Sequence, residues 1–182
     1  MHQTKATSDF IKIQSEHMAK KLKCTPKEAE ERLDKIIYKG LEKYFRKIKP
    51  CHLSIEFIKK LKASGYKIAL LSDFPPEQKG DIWGIRDLCD VVLNSEKAGA
   101  LKPDSTPFLH LAGELKLPTE EILYVGNNHK YDIVGSKNVG MKSAWFRLPF
   151  MAWLGKKSKL ADITFWRYKQ LYKLFFETSE EK

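Results

Sequence analysis

The chain has 182 residues, enough for one domain or for a core with a small appendage. Hydrophobic residues make up 42% and aromatics 12%, which allows a real core and excludes global disorder. The net charge of +10 comes mostly from lysines spread along helical faces among glutamates. That pattern reads as a solvated surface rather than a nucleic-acid footprint. Three separated cysteines, Cys24, Cys51 and Cys89, form no zinc spacing or disulfide framework and suit a reducing cytoplasm. No apolar run reaches the length of a membrane span, and Met1–Lys5 lacks the apolar core of a signal peptide.

In chain order, residues 1–8 are polar and expected to be loose. Phe10, Ile11, Ile13, Met18 and Leu22 mark an amphipathic helix. Thr25-Pro26 with Glu28 marks the start of a second. Its apolar stripe, from Ala29 through Leu33, Ile37, Leu41 and Phe45 to Ile48, predicts one continuous helix. Residues 1–49 thus form a helical unit without strands, and Pro50 marks the junction.

Beyond Pro50 helices and strands alternate. A helix over Leu53–Ala63 stops at Gly65, and the apolar run Tyr66–Leu71 predicts a strand buried on both faces. A short helix over Asp81–Leu88, a strand at Val91–Leu93 and a helix over Thr106–Leu115 follow. Next come a strand at Ile122–Val125, a helix over Asp132–Val139 and a strand at Ser143–Phe146. A short strand at Ile163–Phe165 and a helix over Arg167–Phe176 complete the order, and residues 177–182 are expected to fray. This alternation predicts an α/β fold: a doubly wound parallel sheet with right-handed crossovers. All strand carboxyl ends then lie on one edge, where ligands bind in such sheets.

Four segments reach that edge. Ser72 and Asp73 follow the strand at residues 66–71. Lys102 lies in the loop Gly99-Ala-Leu-Lys-Pro-Asp104. Asn127, Asn128 and Asp132 follow Gly126. The Ser72 hydroxyl, with turn amides, can hold an anionic oxygen, or it can satisfy its own turn. Lys102 can place a compact charge in the site, or be one more surface lysine. Asp132 can serve the site, or cap the helix that begins there.

Taken together, Ile68-Ala-Leu-Leu-Ser-Asp-Phe74, Gly99–Asp104 and Tyr124-Val-Gly-Asn-Asn-His-Lys-Tyr-Asp-Ile-Val-Gly-Ser-Lys-Asn-Val-Gly-Met141 resemble the haloacid dehalogenase-like hydrolases. The resemblance covers about residues 50–165 and makes residues 1–49 a partial helical cap on a core at 50–182. It implies a phosphatase for a small phosphorylated metabolite that works through an aspartyl-phosphate with magnesium. Ser72 would then bind phosphoryl oxygens, with Asp73 beside it. Lys102 would steady the nucleophile and the transferring group. Asn127 would ligate magnesium, and Asp132 would support the metal. By the same reasoning, with the family's first strand restored, Lys102→Ala should abolish activity and leave the fold intact.

Two departures qualify this. Asn127 stands where the family's phosphatases usually carry aspartate, which keeps a metal-free dehalogenase reaction open. The chain also contains no Asp-x-Asp-x-Thr motif. That motif ends the family's first strand, at the centre of the sheet between the strands ending in Ser72 and Gly126. Losing a central strand costs about 10 kcal/mol, comparable to a whole domain's stability. Two expectations follow: residues upstream of Met1 supply the strand, or the flanking strands close on each other in a non-catalytic binding module. Either way residues 1–182 should be inactive alone. A basic nucleic-acid-binding domain is the least favoured reading.

Overall fold

The computed structural model describes residues 9–45, 47–76, 83–148 and 158–177. The expectations for residues 1–8 and 178–182, and for the start of the short helix at Asp81, lie outside them.

Helix α1 spans Phe10–Leu22 and α2 spans Pro26–Leu33; the two pack against each other. The start of α2 is fixed locally. The Glu28 backbone N–H donates to Thr25 Oγ1, and the Thr25 N–H donates back to the Glu28 carboxylate at 2.8 Å. The continuous helix expected from Pro26 to Ile48 is interrupted. After Leu33 the chain widens into one π-turn over Asp34–Tyr38, then breaks around Gly40 before the short α3, Glu42–Phe45. A Cβ at Gly40 would lie 2.5 Å from the Ile36 carbonyl oxygen, so this tight backbone needs glycine. Apolar periodicity continues through the break, which is why the pattern alone does not reveal it.

The α/β part begins with α4 (Ser54–Ala63), which ends at Gly65 with φ +85° as expected. Strand β1 covers Ala69–Ser72, shorter at its start and longer at its end than the apolar run. Strand β2 covers Val91–Asn94, after a 3-10 turn at Arg86–Leu88. Then follow α5 (Ser105–Leu115), β3 (Leu123–Gly126), α6 (Val134–Asn138), β4 (Lys142–Phe146), β5 (Ile163–Phe165) and α7 (Tyr168–Phe176). One π-turn over His129–Ile133 precedes α6.

All strand pairs are parallel. The single sheet expected from the alternation is, however, two sheets: β1-β2, and β3-β4-β5. Among the described residues β1 and β3 do not pair. The flanking strands therefore do not close on each other.

The two sheets share one cover. On one face α5 contributes Phe108, Leu111, Ala112 and Leu115, packed with Leu71 of β1 and Tyr124 of β3. On the other face Phe57 of α4 and Leu171 of α7 pack with Ala144 and Phe165. This is the three-layer arrangement that a parallel sheet needs to bury both faces. The core thus spans the gap between β1 and β3 and holds their carboxyl ends at one edge. Among the described residues, contacts tie the amino-terminal helices to that edge: the Tyr38 hydroxyl donates to Glu96 at 2.8 Å, two residues past β2, and the Phe45 ring meets that of Phe74, two residues past β1, edge to face at 6.2 Å.

Candidate functional site

Between the ends of β1 and β3 lies a cavity of about 330 Å³. Ser72, Asp73, Lys102, Asn127 and Asp132 all line it, together with Tyr124 and Tyr131. The five residues singled out in the sequence are thus brought to one place.

Its centre is an ion pair. Lys102 Nζ lies 2.7 Å from Asp132 Oδ1, with the residues only 8% and 5% exposed. Lys102 also donates to the Tyr124 hydroxyl at 3.2 Å. Burial alone would lower the lysine's pKa. Tyr124, Asp132 and Asp73 around it outweigh burial, and the net shift is upward. Lys102 is therefore a firmly charged group, not a latent base. Burial pushes the Tyr124 phenol up, so it stays neutral.

Asp132 does not cap the helix. Asn128 does, accepting the Tyr131 N–H on Oδ1 at 3.1 Å. Asp132 instead turns back: Oδ1 takes Lys102, and Oδ2 accepts the Asn128 N–H at 2.9 Å. Gly126 makes room for this. A Cβ there would stand 2.3 Å from the Asp132 Cβ. Gly135 has the same role one layer back, where a Cβ would meet the Phe108 ring at 2.5 Å and the Pro103 backbone at 3.1 Å. Close approach of α6 to Pro103 and α5 sets the height of Lys102.

Asp73 Oδ1 accepts the Lys102 backbone N–H at 3.3 Å, so it also braces the lysine loop. Ser72 is buried, and its Oγ accepts the Phe74 N–H at 3.1 Å. Serine thus satisfies its own turn and still lines the cavity. Asn127 is exposed; its backbone carbonyl accepts the Trp145 indole N–H at 3.1 Å. Sequence reasoning missed Tyr124. The signal was present: one hydroxyl within the apolar run Ile122–Val125 must find a partner when buried.

A sequence profile of the haloacid dehalogenase-like hydrolases matches residues 2–146. The chain belongs to this family. Among curated relatives, a glyceraldehyde 3-phosphate phosphatase of Pyrococcus abyssi is 31% identical over 91 residues, 48% of this chain and 38% of that protein. The pyrophosphatase PpaX of Halalkalibacterium halodurans is 30% identical over 100 residues, 53% and 46% of the two chains. The chain spans less than half the length of these relatives. A crystal structure of a HAD phosphatase from Thermococcus onnurineus superposes with TM-score 0.67 at 24% identity, covering 92% of this chain and 88% of that one. That likeness shows the shared fold.

Haloacid dehalogenase-like phosphatases generally use magnesium, and the donors here can be tested against it. Magnesium asks for octahedral oxygen ligands, one or two of them carboxylates. Both Asp132 oxygens are engaged, Asp73 braces Lys102, and Asn127 brings no charge. Among the described residues no group of three metal-ligating side chains occurs. Ser72, Asp73, Asn127 and Asp132 by themselves do not make a magnesium site. No helix of the described residues is long and apolar enough to cross a membrane.

Proposed function

We propose that this chain is part of a cytoplasmic phosphohydrolase acting on a small phosphorylated metabolite, with its attacking aspartate supplied from outside residues 1–182. Residues 1–49 would serve as a partial helical cap and 50–182 as the core. The observation that carries the reading is the buried Lys102–Asp132 pair, set between Ser72 and Asn127 at the carboxyl edge of the strands. The curated relatives, a glyceraldehyde 3-phosphate phosphatase and a pyrophosphatase, support the same class.

In this reading Lys102 offsets the charge of an entering phosphoryl group and of the carboxylate that attacks it. Asp132 and Tyr124 hold the lysine in place, and Asp73 fixes its loop. The Ser72 hydroxyl donates to a phosphoryl oxygen while its lone pair keeps the Phe74 N–H. The carboxylate oxygen attacks phosphorus, the substrate oxygen leaves with a proton from the second aspartate of the supplied Asp-x-Asp, and that aspartate takes a proton back from the water that cleaves the acyl phosphate and releases inorganic phosphate. Any magnesium would need carboxylates that Asn127 and Asp132 do not provide.

A second reading has its own support. Residues 1–182 contain no Asp-x-Asp sequence, so a non-catalytic module that retains the fold and binds a partner or a phosphate fits them as they stand. Assay of the 182-residue chain with p-nitrophenyl phosphate is expected to give no turnover. The same chain extended at its amino terminus by an apolar strand ending in Asp-x-Asp is expected to hydrolyse it. Turnover should then fall at least about a hundredfold in Ser72→Ala and Lys102→Arg. Folded extended protein with no turnover would favour the non-catalytic module.

A further inference from the structure

The segment between α2 and Pro50 concentrates charge that the candidate site does not use. Residues 35–49 hold six basic side chains and one acidic one, Glu42, so this short segment supplies a net +5 of the chain's +10. Contacts hold it to the rest of the molecule. The Tyr38 hydroxyl donates to Glu96 at 2.8 Å, the Phe45 ring meets that of Phe74, and the Ile48 carbonyl accepts the Trp83 indole N–H at 2.8 Å. Tyr38 and Phe45 thereby mark the side turned to the core.

Other side chains of the segment stay in water. Ile36, Tyr44 and Ile48 are 59%, 55% and 49% exposed. Each has an exposed lysine next to it in the chain: Lys35, Lys43, and Lys47 with Lys49. Lys43 also lies over the Tyr44 ring, 5.2 Å from its centroid, while Lys39 pairs with Asp34. An exposed isoleucine by itself needs no explanation. Three large apolar groups set singly among lysines, on one anchored segment, have the composition of a face that lies at a lipid–water boundary. There the apolar groups enter the acyl region, and the lysine stems let the ammonium groups stay with anionic headgroups. Isoleucine offers no π-face on which a nucleic-acid base could stack, so the apolar part of the pattern favours lipid over nucleic acid.

We propose that the segment from Lys35 to Lys49 is a peripheral membrane-binding face, which docks the folded chain on an anionic bilayer by inserting Ile36, Tyr44 and Ile48 between headgroups that meet the lysines. Charge and apolar area act together: the attraction falls off within a Debye length, and three side chains by themselves bury little area. None of these residues lines the cavity around Lys102, so docking does not depend on the phosphohydrolase reading.

The test uses the full 182-residue chain with two kinds of vesicle, pure phosphatidylcholine and equal parts phosphatidylcholine and phosphatidylserine. The chain is expected to float with the anionic vesicles and hardly with the neutral ones, and flotation should fall as salt is raised. Amide exchange should slow at residues 35–45 when anionic vesicles are added. The variant Ile36→Ser/Tyr44→Ser/Ile48→Ser keeps the charge and should bind at least about tenfold more weakly. The variant Lys35→Glu/Lys43→Glu/Lys47→Glu keeps the apolar groups and should bind at least about a hundredfold more weakly. Both sets of side chains are exposed, so both variants should keep the melting temperature of the free chain. Absence of flotation on anionic vesicles, equal flotation on neutral ones, or slowed exchange confined to residues outside 35–45 would overturn the proposal. Undiminished binding by the serine variant would make the segment a site for polyanions in general and also overturn it. Self-association without vesicles that the serine variant abolishes would assign the face to a second copy, with the same result.

Discussion

Lys102 and Asp132, thirty residues apart, meet at 2.7 Å in a pair that water barely reaches. Removing one partner leaves the other charged and buried. Lys102→Met is therefore expected to destabilise the chain by about 3–5 kcal/mol, and the double variant Lys102→Met/Asp132→Leu by much less. Urea denaturation of the single and double variants measures this. Equal losses in both would mean that the pair is not coupled. The expectation that Lys102→Ala would leave the fold intact is thus revised, because this lysine is a structural group as well as a candidate catalytic one. The raised lysine pKa sets the pH window. Its contribution is fully present below about pH 10 and is lost as pH rises through the folded-state value. The Lys102→Met deficit should accordingly be flat between about pH 6 and 8.

Gly126→Ala drives a Cβ into Asp132. Asp132 must move, and it carries both Lys102 and the Asn128 turn. A loss of about 1–3 kcal/mol is expected. Slowed exchange of the Asn128 amide, a partner of Asp132, should be lost with it. A variant with wild-type stability and an equally protected Asn128 amide would contradict this placement.

Glu96 links the amino-terminal helices to the strand edge through Tyr38. Burial raises its carboxyl pKa; the Tyr38 hydrogen bond opposes the rise, and the nearby Asp73 charge adds to it. For a raised carboxyl the folded state holds the proton more tightly than the unfolded chain. Its contribution is present below about pH 4 and is lost as pH rises through the folded value. Glu96→Gln should therefore gain stability relative to wild type as pH rises from about 4 to 7. Chemical denaturation across that range reads the difference; a gap that shrinks with pH would refute the burial argument. Asp90 and Asp162, lowered by their partners, shift both proteins alike.

The donor set also predicts a negative result with metal. Isothermal titration of residues 1–182 with magnesium should show no saturable binding at millimolar concentrations, because Asp132 is spent on Lys102 and Asn128. A site of submillimolar affinity that Asn127→Ala abolishes would show that these residues suffice.

Local features were readable where local physics decides. Thr25 and Glu28 cap α2 through bonds three residues apart, and Gly65 ends α4 in a conformation that favours glycine. The apolar runs at β1 and β3 mark strands by composition alone. The break near Gly40 was not readable, because the apolar stripe carries across the π-turn and a tolerated glycine looks the same in a sequence. Asp132 was readable as a site residue, but its partner was not. A carboxylate four residues past Asn128 can cap a turn or reach inward, and only the neighbours that desolvate it choose.

The sequence by itself determined the order of helices and strands, the absence of an Asp-x-Asp and the residues that reach the strand edge. Only the tertiary structure decided that Lys102 is buried against Asp132 and Tyr124, and that β1 and β3 stand apart. Both depend on contacts between distant segments. Whether a charge loses its water, or a strand edge finds a partner, is settled by what packs beside it rather than by its neighbours in the chain.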